Sequence, residues 1–184
     1  MSINQIDHAL FSLINGWHSE ALDPLMVGIS SRWLAIPLYL VLVVLLFKKY
    51  GKQFPWVVVA VVLMILLSDQ LSVAVKFLVE RLRPCHDDLL SSSIHLVNNK
   101  CGGEFGFYSS HASNTAALAL FTHQLLKQKG LSIFLVVWVI LVGYSRIYLG
   151  AHFPGDVLMG WFMGASIGWL SAYLCQRKLN PSIA

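Results

Sequence analysis

The chain has 184 residues, 57% of them hydrophobic and only 12% charged, with a mean hydropathy of +0.67. Soluble domains carry about 25% charged residues, so this composition excludes a disordered chain and argues against a soluble globular one. The formal net charge of +4 could suggest a nucleic-acid partner, but the basic residues cluster at the ends of apolar runs rather than along one face, and no nucleic acid is expected.

A helix needs roughly 20 mostly apolar residues to cross a bilayer. Residues 1–24 fall short of that. Ile3, Ile6, Leu10, Phe11, Leu13 and Ile14 recur at helical spacing among polar residues, which predicts a short amphipathic helix at the membrane interface. With no basic leader and no small-residue cleavage site, it does not read as a signal peptide. Five spans follow, at about 25–47, 54–82, 110–126, 131–148 and 154–175. Ser30, Ser31 and Arg32 interrupt the first, and Pro55 opens the second at a favourable helical position. The predicted fold is therefore an all-α integral membrane bundle of five transmembrane helices plus an N-terminal interfacial helix, in one domain covering residues 1–184.

Lys48, Lys49 and Lys52, then Lys127 and Lys129, then Arg177 and Lys178 fall in three segments that five spans place on one side. Positive-inside counting makes that side cytoplasmic. The opposite side holds the N-terminal helix, the loop 83–109 and the turn around 146–154. Its basic residues Lys76, Arg81, Arg83, Lys100 and Arg146 abut or enter the spans, where ionisable groups are costly and usually functional.

Three segments carry chemistry. Lys76-x6-Arg83-Pro84 closes the second span, Ser109-Ser110-His111 opens the third, and Ser145-Arg146-x5-His152-x3-Asp156 joins the last two. Because spans alternate in direction, all three converge on one membrane face. Lys76, Arg83 and Arg146 offer positive charge, the two arginines as bidentate forks suited to phosphate oxygens. Ser109 offers a hydroxyl, and the amides of Ser110 and His111 sit at a helix N-terminus that favours an anion. Asp156 can hold one ring nitrogen of His152 and leave the other as nucleophile or base, while His111 can serve as general acid. Such residues imply phosphoryl transfer without a metal or other cofactor, the fixed cations taking the part that Mg²⁺ plays elsewhere.

Together these motifs resemble those of the type 2 phosphatidic acid phosphatase superfamily. The first and third match in full; in the second, Tyr108 stands where proline is usual and Ser110 where glycine is usual, although the amide is retained. The resemblance implies that His152 attacks phosphorus to form a phosphohistidine, oriented by Asp156. It also implies that His111 protonates the leaving oxygen and then helps activate water. Lys76, Arg83, Ser109, Ser110 and Arg146 would bind the phosphoryl oxygens. The implied substrate is a membrane lipid phosphate or diphosphate of the undecaprenyl diphosphate, phosphatidylglycerophosphate, phosphatidic acid or lipid A type. The setting would be a bacterial cytoplasmic (inner) membrane with the site facing outward. Two rivals use the same pocket: a non-catalytic lipid-phosphate transporter or binding protein, and a vanadate-dependent oxidant enzyme.

Other residues have plainer readings. Glu80 and Arg81 read as an interfacial pair or solvated face. His8, His18, His86, His95 and His123 read as surface histidines. Asp69, near the middle of the second span, reads as a structural polar contact to Ser68, Ser72 or a neighbouring helix rather than part of a substrate path. Cys85 and Cys101 bracket the outer loop and can form a disulfide if that face is oxidising, remain free thiols, or hold zinc with His86 and His95. Gly160, Gly164 and Gly168 make a small-residue ridge suited to packing within a monomer, with a homodimer seam as the alternative. Trp17, Trp33 and Trp56 read as interfacial aromatics.

Overall fold

The computed structural model describes residues 2–90 and 93–180. It is all-helical, and no strand occurs among the described residues. Seven α-helices run in the order α1 (Ile3–Gly16), α2 (Asp23–Ser30), α3 (Arg32–Tyr50), α4 (Phe54–Val79), α5 (Ser110–Leu126), α6 (Lys129–Tyr148) and α7 (Pro154–Leu179).

Local signals set the boundaries. A reciprocal cap opens α1, Ser2 Oγ accepting from the Gln5 amide and Gln5 Oε1 from the Ser2 amide. The run expected as one span over 25–47 is divided at Ser31, whose extended backbone ends α2. Its hydroxyl donates to the Gly28 carbonyl at 2.8 Å and accepts from the Leu34 amide at 3.4 Å, closing one helix and opening the next. The 19 residues of α3 still give about 28 Å of helix at 1.5 Å per residue. Gly51, at φ +47°, turns the chain back into α4, and Pro55 stands in the first turn of that helix.

Helices α3 to α7 run alternately up and down. At one end Lys49 Nζ and Tyr50 Oη donate to the Leu125 carbonyl, Gln53 to that of Leu179 and Gln176 to that of Gln124. At the other end the close of α4, the start of α5 and the α6–α7 connection meet. Among the described residues, three stretches are long and apolar enough to cross a membrane: Arg32–Val79, which contains both α3 and α4, Lys129–Tyr148 and Pro154–Leu179. Leu40, Leu63, Leu66, Val136, Leu158 and Phe162 are among many large apolar side chains exposed on these helices, as expected where the solvent is lipid.

Helix α5 is shorter, at 17 residues, and stands at the centre against α4, α6 and α7. Its small residues permit that position. Gly160, Gly164 and Gly168 of α7 face the backbone at Ser109, Ser113 and Ala117, and a β-carbon on any of them would collide with it. The glycine ridge is thus occupied within the monomer. Ser68 and Ser113 pair across the α4–α5 contact at 2.7 Å. Below, Leu46, Val57, Met64, Phe121, Leu125 and Ile167 form the main core; above, Phe11, Ala112, Ile147, Phe153 and Val157 form a second one, which ties α1 to the upper face.

Candidate active site

The three motifs meet on the upper face. Glu80 adopts a left-handed conformation that ends α4, and the chain then passes through an extended segment, Arg81–Arg83. The Arg83 amide donates to the Glu104 carbonyl and the Gly106 amide to the Arg81 carbonyl, so residues 104–108 are strapped alongside. Residues two apart in an extended chain point the same way; Arg81 and Arg83 both face the α6–α7 connection.

His152 occupies that connection and is 2% exposed. Its Nε2 is 3.4 Å from Arg83 Nη1, which also donates to the Ala151 carbonyl at 3.2 Å. On the other side of the ring, Nδ1 faces Asp156 Oδ2 at 3.5 Å. Asp156 is fully buried. Its Oδ2 accepts from the Phe153 amide at 3.0 Å and its Oδ1 from Arg81 at 2.7 Å, so the carboxylate opens α7 and faces His152 at once. Burial holds the His152 imidazole well below the ordinary histidine range, and the charges of Arg146, Arg83 and Lys76 push the same way, against the backbone of Gly106. The ring is therefore neutral at physiological pH, with its Nε2 lone pair turned to Arg83.

Lys76 leaves the last turn of α4 and donates to Ser110 Oγ at 2.6 Å; Ser110 pairs also with Ser72 at 2.6 Å. The serine that replaces the usual glycine thus fixes the ammonium. Ser109 is buried, caps α5 through its side chain and donates its amide to the Asp156 carbonyl at 3.0 Å. Its hydroxyl proton remains free to donate. His111, in the first turn of α5, is exposed. Arg146, at the end of α6, reaches Ser30 with one guanidinium nitrogen, and its carbonyl accepts from Ala151 and His152. Arg83 Nε, Arg146 Nε and His152 Nδ1 are buried without hydrogen-bond partners among the described residues. Unsatisfied buried donors are costly and rare; the two guanidinium donors, with Lys76, suit an anion, whereas His152 Nδ1 is turned to Asp156.

Several residues differ from their sequence reading. Arg81 is no solvated partner of Glu80: it bridges Asp156 and Asp7, the latter at 2.6 Å, with its guanidinium 4.3 Å from the Phe153 ring. Asp7 in turn accepts from the Gly155 amide at 2.7 Å, so α1 contributes to the site's support. Spacing from Arg83 could have flagged Arg81; nothing in the sequence singled out Asp7. His95 is no free surface residue but pairs with Asp23 at 2.9 Å and stacks on His18. His8 faces Asp87 and stacks on Phe153. Asp69 draws on neither expected serine: Ser68 bonds Ser113, and Ser72 donates to the Asp69 carbonyl rather than its carboxylate. Cys85 and Cys101 are joined as a disulfide across the outer loop. His86 lies beside them, whereas His95 stands elsewhere, so the four-ligand zinc set does not assemble.

A pocket of fixed cations around a buried, neutral histidine in a membrane bundle defines a class, and the relatives agree with it. Residues 57–180 match the PAP2 superfamily. The chain is 35% identical to the lipid A 4'-phosphatase of Bacteroides thetaiotaomicron, over 95% of its own length and 79% of that protein. It is 31% identical to the undecaprenyl-diphosphatase of Sulfolobus acidocaldarius, over 90% and 76% respectively. In structure it resembles Aquifex aeolicus LpxE, with a TM-score of 0.73, 24% identity and coverage of 94% of this chain and 99% of that one. It also resembles a transmembrane PAP2-type phosphatidylglycerolphosphate phosphatase of Bacillus subtilis, with a TM-score of 0.74, 24% identity and coverage of 98% and 89%. The chain belongs to the PAP2 superfamily. It is a membrane phosphatase.

Proposed function

We propose that this phosphatase removes a phosphoryl group from a membrane lipid through a covalent intermediate on His152. The observation that carries the reading is the setting of that ring. It is buried and neutral, Nδ1 facing the Asp156 carboxylate and Nε2 facing the Arg83 guanidinium. Nε2 attacks phosphorus, a P–N bond forms and the bond to the leaving oxygen breaks, while His111 gives that oxygen a proton. Water, deprotonated by His111, then attacks the phosphohistidine and releases inorganic phosphate. Lys76, Arg83 and Arg146, with the Ser109 hydroxyl and the Ser110 amide, hold the equatorial oxygens where charge accumulates. No step calls on a metal.

The substrate is a lipid phosphate or diphosphate whose tail stays in the bilayer. Lipid A and undecaprenyl diphosphate, named for the two relatives, and phosphatidylglycerophosphate and phosphatidic acid are the candidates. The chain works as one domain with five crossings, α3 to α7, and α1 at the interface, in a bacterial inner membrane. An outward-facing site is supported by the lysines and arginines at the opposite end of the bundle and by the disulfide on the site's own face. Because α5 fills the glycine ridge, a monomer suffices.

Phosphate release by detergent-purified protein, with EDTA present, tests the reading. Release that persists in EDTA and disappears in His152→Ala is expected. Headgroup binding without release from any of these lipids would favour the transporter reading instead.

A further inference from the structure

A cavity of about 200 Å³ opens beside the phosphate site, between α2, the start of α3 and the facing turns of α4, α5 and α6. Ser110 and His111 form its wall toward the cations. Asp69, Asn114 and Trp138 also line it. These three continue, at helical spacing, the very faces that present the phosphate-side residues. Asp69 precedes Lys76 by two turns on α4, Asn114 follows Ser110 by one turn on α5, and Trp138 precedes Arg146 by about two turns on α6. The polar face of each helix thus extends past the cations into the bundle.

Two of the polar atoms there have no internal partner. Asn114 Oδ1 and Trp138 Nε1 are buried without hydrogen-bond partners among the described residues. The hydroxyl of Ser72, one turn on from Asp69, donates to the Asp69 backbone carbonyl and accepts from Ser110. A carboxylate within a membrane-spanning helix is expensive and marks function by default.

We infer that this cavity is the subsite for the leaving group, and that it selects one bearing hydroxyls, of the sugar or glycerol kind, over a hydrocarbon alcohol or a second phosphate. The inference rests on the reading in which His111 protonates the leaving oxygen, since His111 stands at the cavity's mouth. The donor–acceptor inventory sets the chemistry. Two acceptors, Asp69 and Asn114 Oδ1, and one donor, Trp138 Nε1, match hydroxyl groups, each of which both donates and accepts. A bare alkyl chain would leave Asn114 Oδ1 and Trp138 Nε1 unsatisfied. A phosphate would meet the Asp69 carboxylate, a like charge. Arg32, an exposed residue, also lines the cavity.

The test compares kcat/KM for lipid A, phosphatidic acid and undecaprenyl diphosphate in the wild type and in Asp69→Asn, Asn114→Ala and Trp138→Phe. A site built to hydrogen-bond a substrate hydroxyl loses discrimination when its partner is removed. The wild type is expected to prefer lipid A. Each variant should lower the lipid A to undecaprenyl diphosphate ratio by about tenfold, or 1.4 kcal/mol. Trp138→Phe keeps an aromatic six-membered ring but loses the pyrrole half with its N–H, so it is read together with Asn114→Ala, and the two report even if Asp69→Asn misfolds. A wild-type preference for the diphosphate, or equal losses on all three lipids, overturns the inference. Failure of the reading beneath it looks different: no phosphate release at all, or release that survives His152→Ala.

Discussion

Arg81 holds Asp156 from the side opposite His152. One guanidinium nitrogen meets Asp156 Oδ1 at 2.7 Å while Asp156 Oδ2 faces the His152 ring at 3.5 Å. The carboxylate cannot turn without breaking a charge-assisted bond. Because the second guanidinium nitrogen is bound to Asp7, the orientation of the proposed nucleophile is referred to α1. Arg81 acts through Asp156 and is a positioning residue. A displacement of about 1 Å at a reacting group can cost about 10²-fold. Arg81→Ala is therefore expected to lower kcat by that order with little change in KM, and Arg81→Lys to recover part of it. A rise in KM with kcat unchanged would move Arg81 to substrate binding.

Burial of a neutral His152 ties stability to pH, with a definite sign. The folded protein resists protonating this ring, whereas the unfolded chain takes up the proton near the ordinary histidine value of about 6.5. The contribution is complete above that value and is lost as pH falls below it, at about 1.4 kcal/mol per pH unit. His152→Gln lacks the term. Denaturant or thermal unfolding in detergent at pH 5 to 8 should show wild type losing stability relative to His152→Gln only on the acid side. Parallel curves would mean that folding leaves the proton affinity of His152 unchanged.

Gly164 backs directly onto Ser113 of α5, four residues beyond Ser109. Gly164→Ala must push α5 and α7 apart, and overpacking of this kind costs about 1–3 kcal/mol. Activity should fall with stability, since α5 carries Ser109, Ser110 and His111. Gly28 is the control: a β-carbon there meets nothing within 4 Å, and Gly28→Ala should stabilise by roughly 0.5–1 kcal/mol. Equal effects at both positions would argue against the tight α5–α7 contact.

Much of the site was legible because its residues are tied by spacing to helix ends. Lys76, Arg83, Ser110, Arg146, His152 and Asp156 converge once the apolar runs alternate in direction, and hydropathy alone sets that alternation. The helix break at Ser31 was visible only as a polar interruption, since its cause is a hydroxyl that bonds in both directions. Asp7 and Arg81 are joined across 74 positions, and Asn15 reaches the carbonyls of His95 and Tyr148. Such pairings follow from where α1 docks, which periodicity does not specify. Of the histidines read as surface residues, His18, His86 and His123 are exposed, whereas His8 and His95 are half-buried and paired for the same reason: the Asp23–His95 pair lies between segments whose approach depends on the loop fold. Asp69 was recognised as costly, but its neighbours Ser68 and Ser72 suggested a local partner, and only the helix packing assigns those hydroxyls elsewhere.

The most direct measurement of the central claim is trapping of the covalent intermediate. Protein mixed with a lipid labelled in its phosphoryl group and quenched in alkali within the first turnover should carry label that is stable to base and labile to acid, as a phosphoramidate is. The label should map to His152 and be absent in His152→Ala. Turnover without protein-bound label, or label that persists in that variant, would contradict the account.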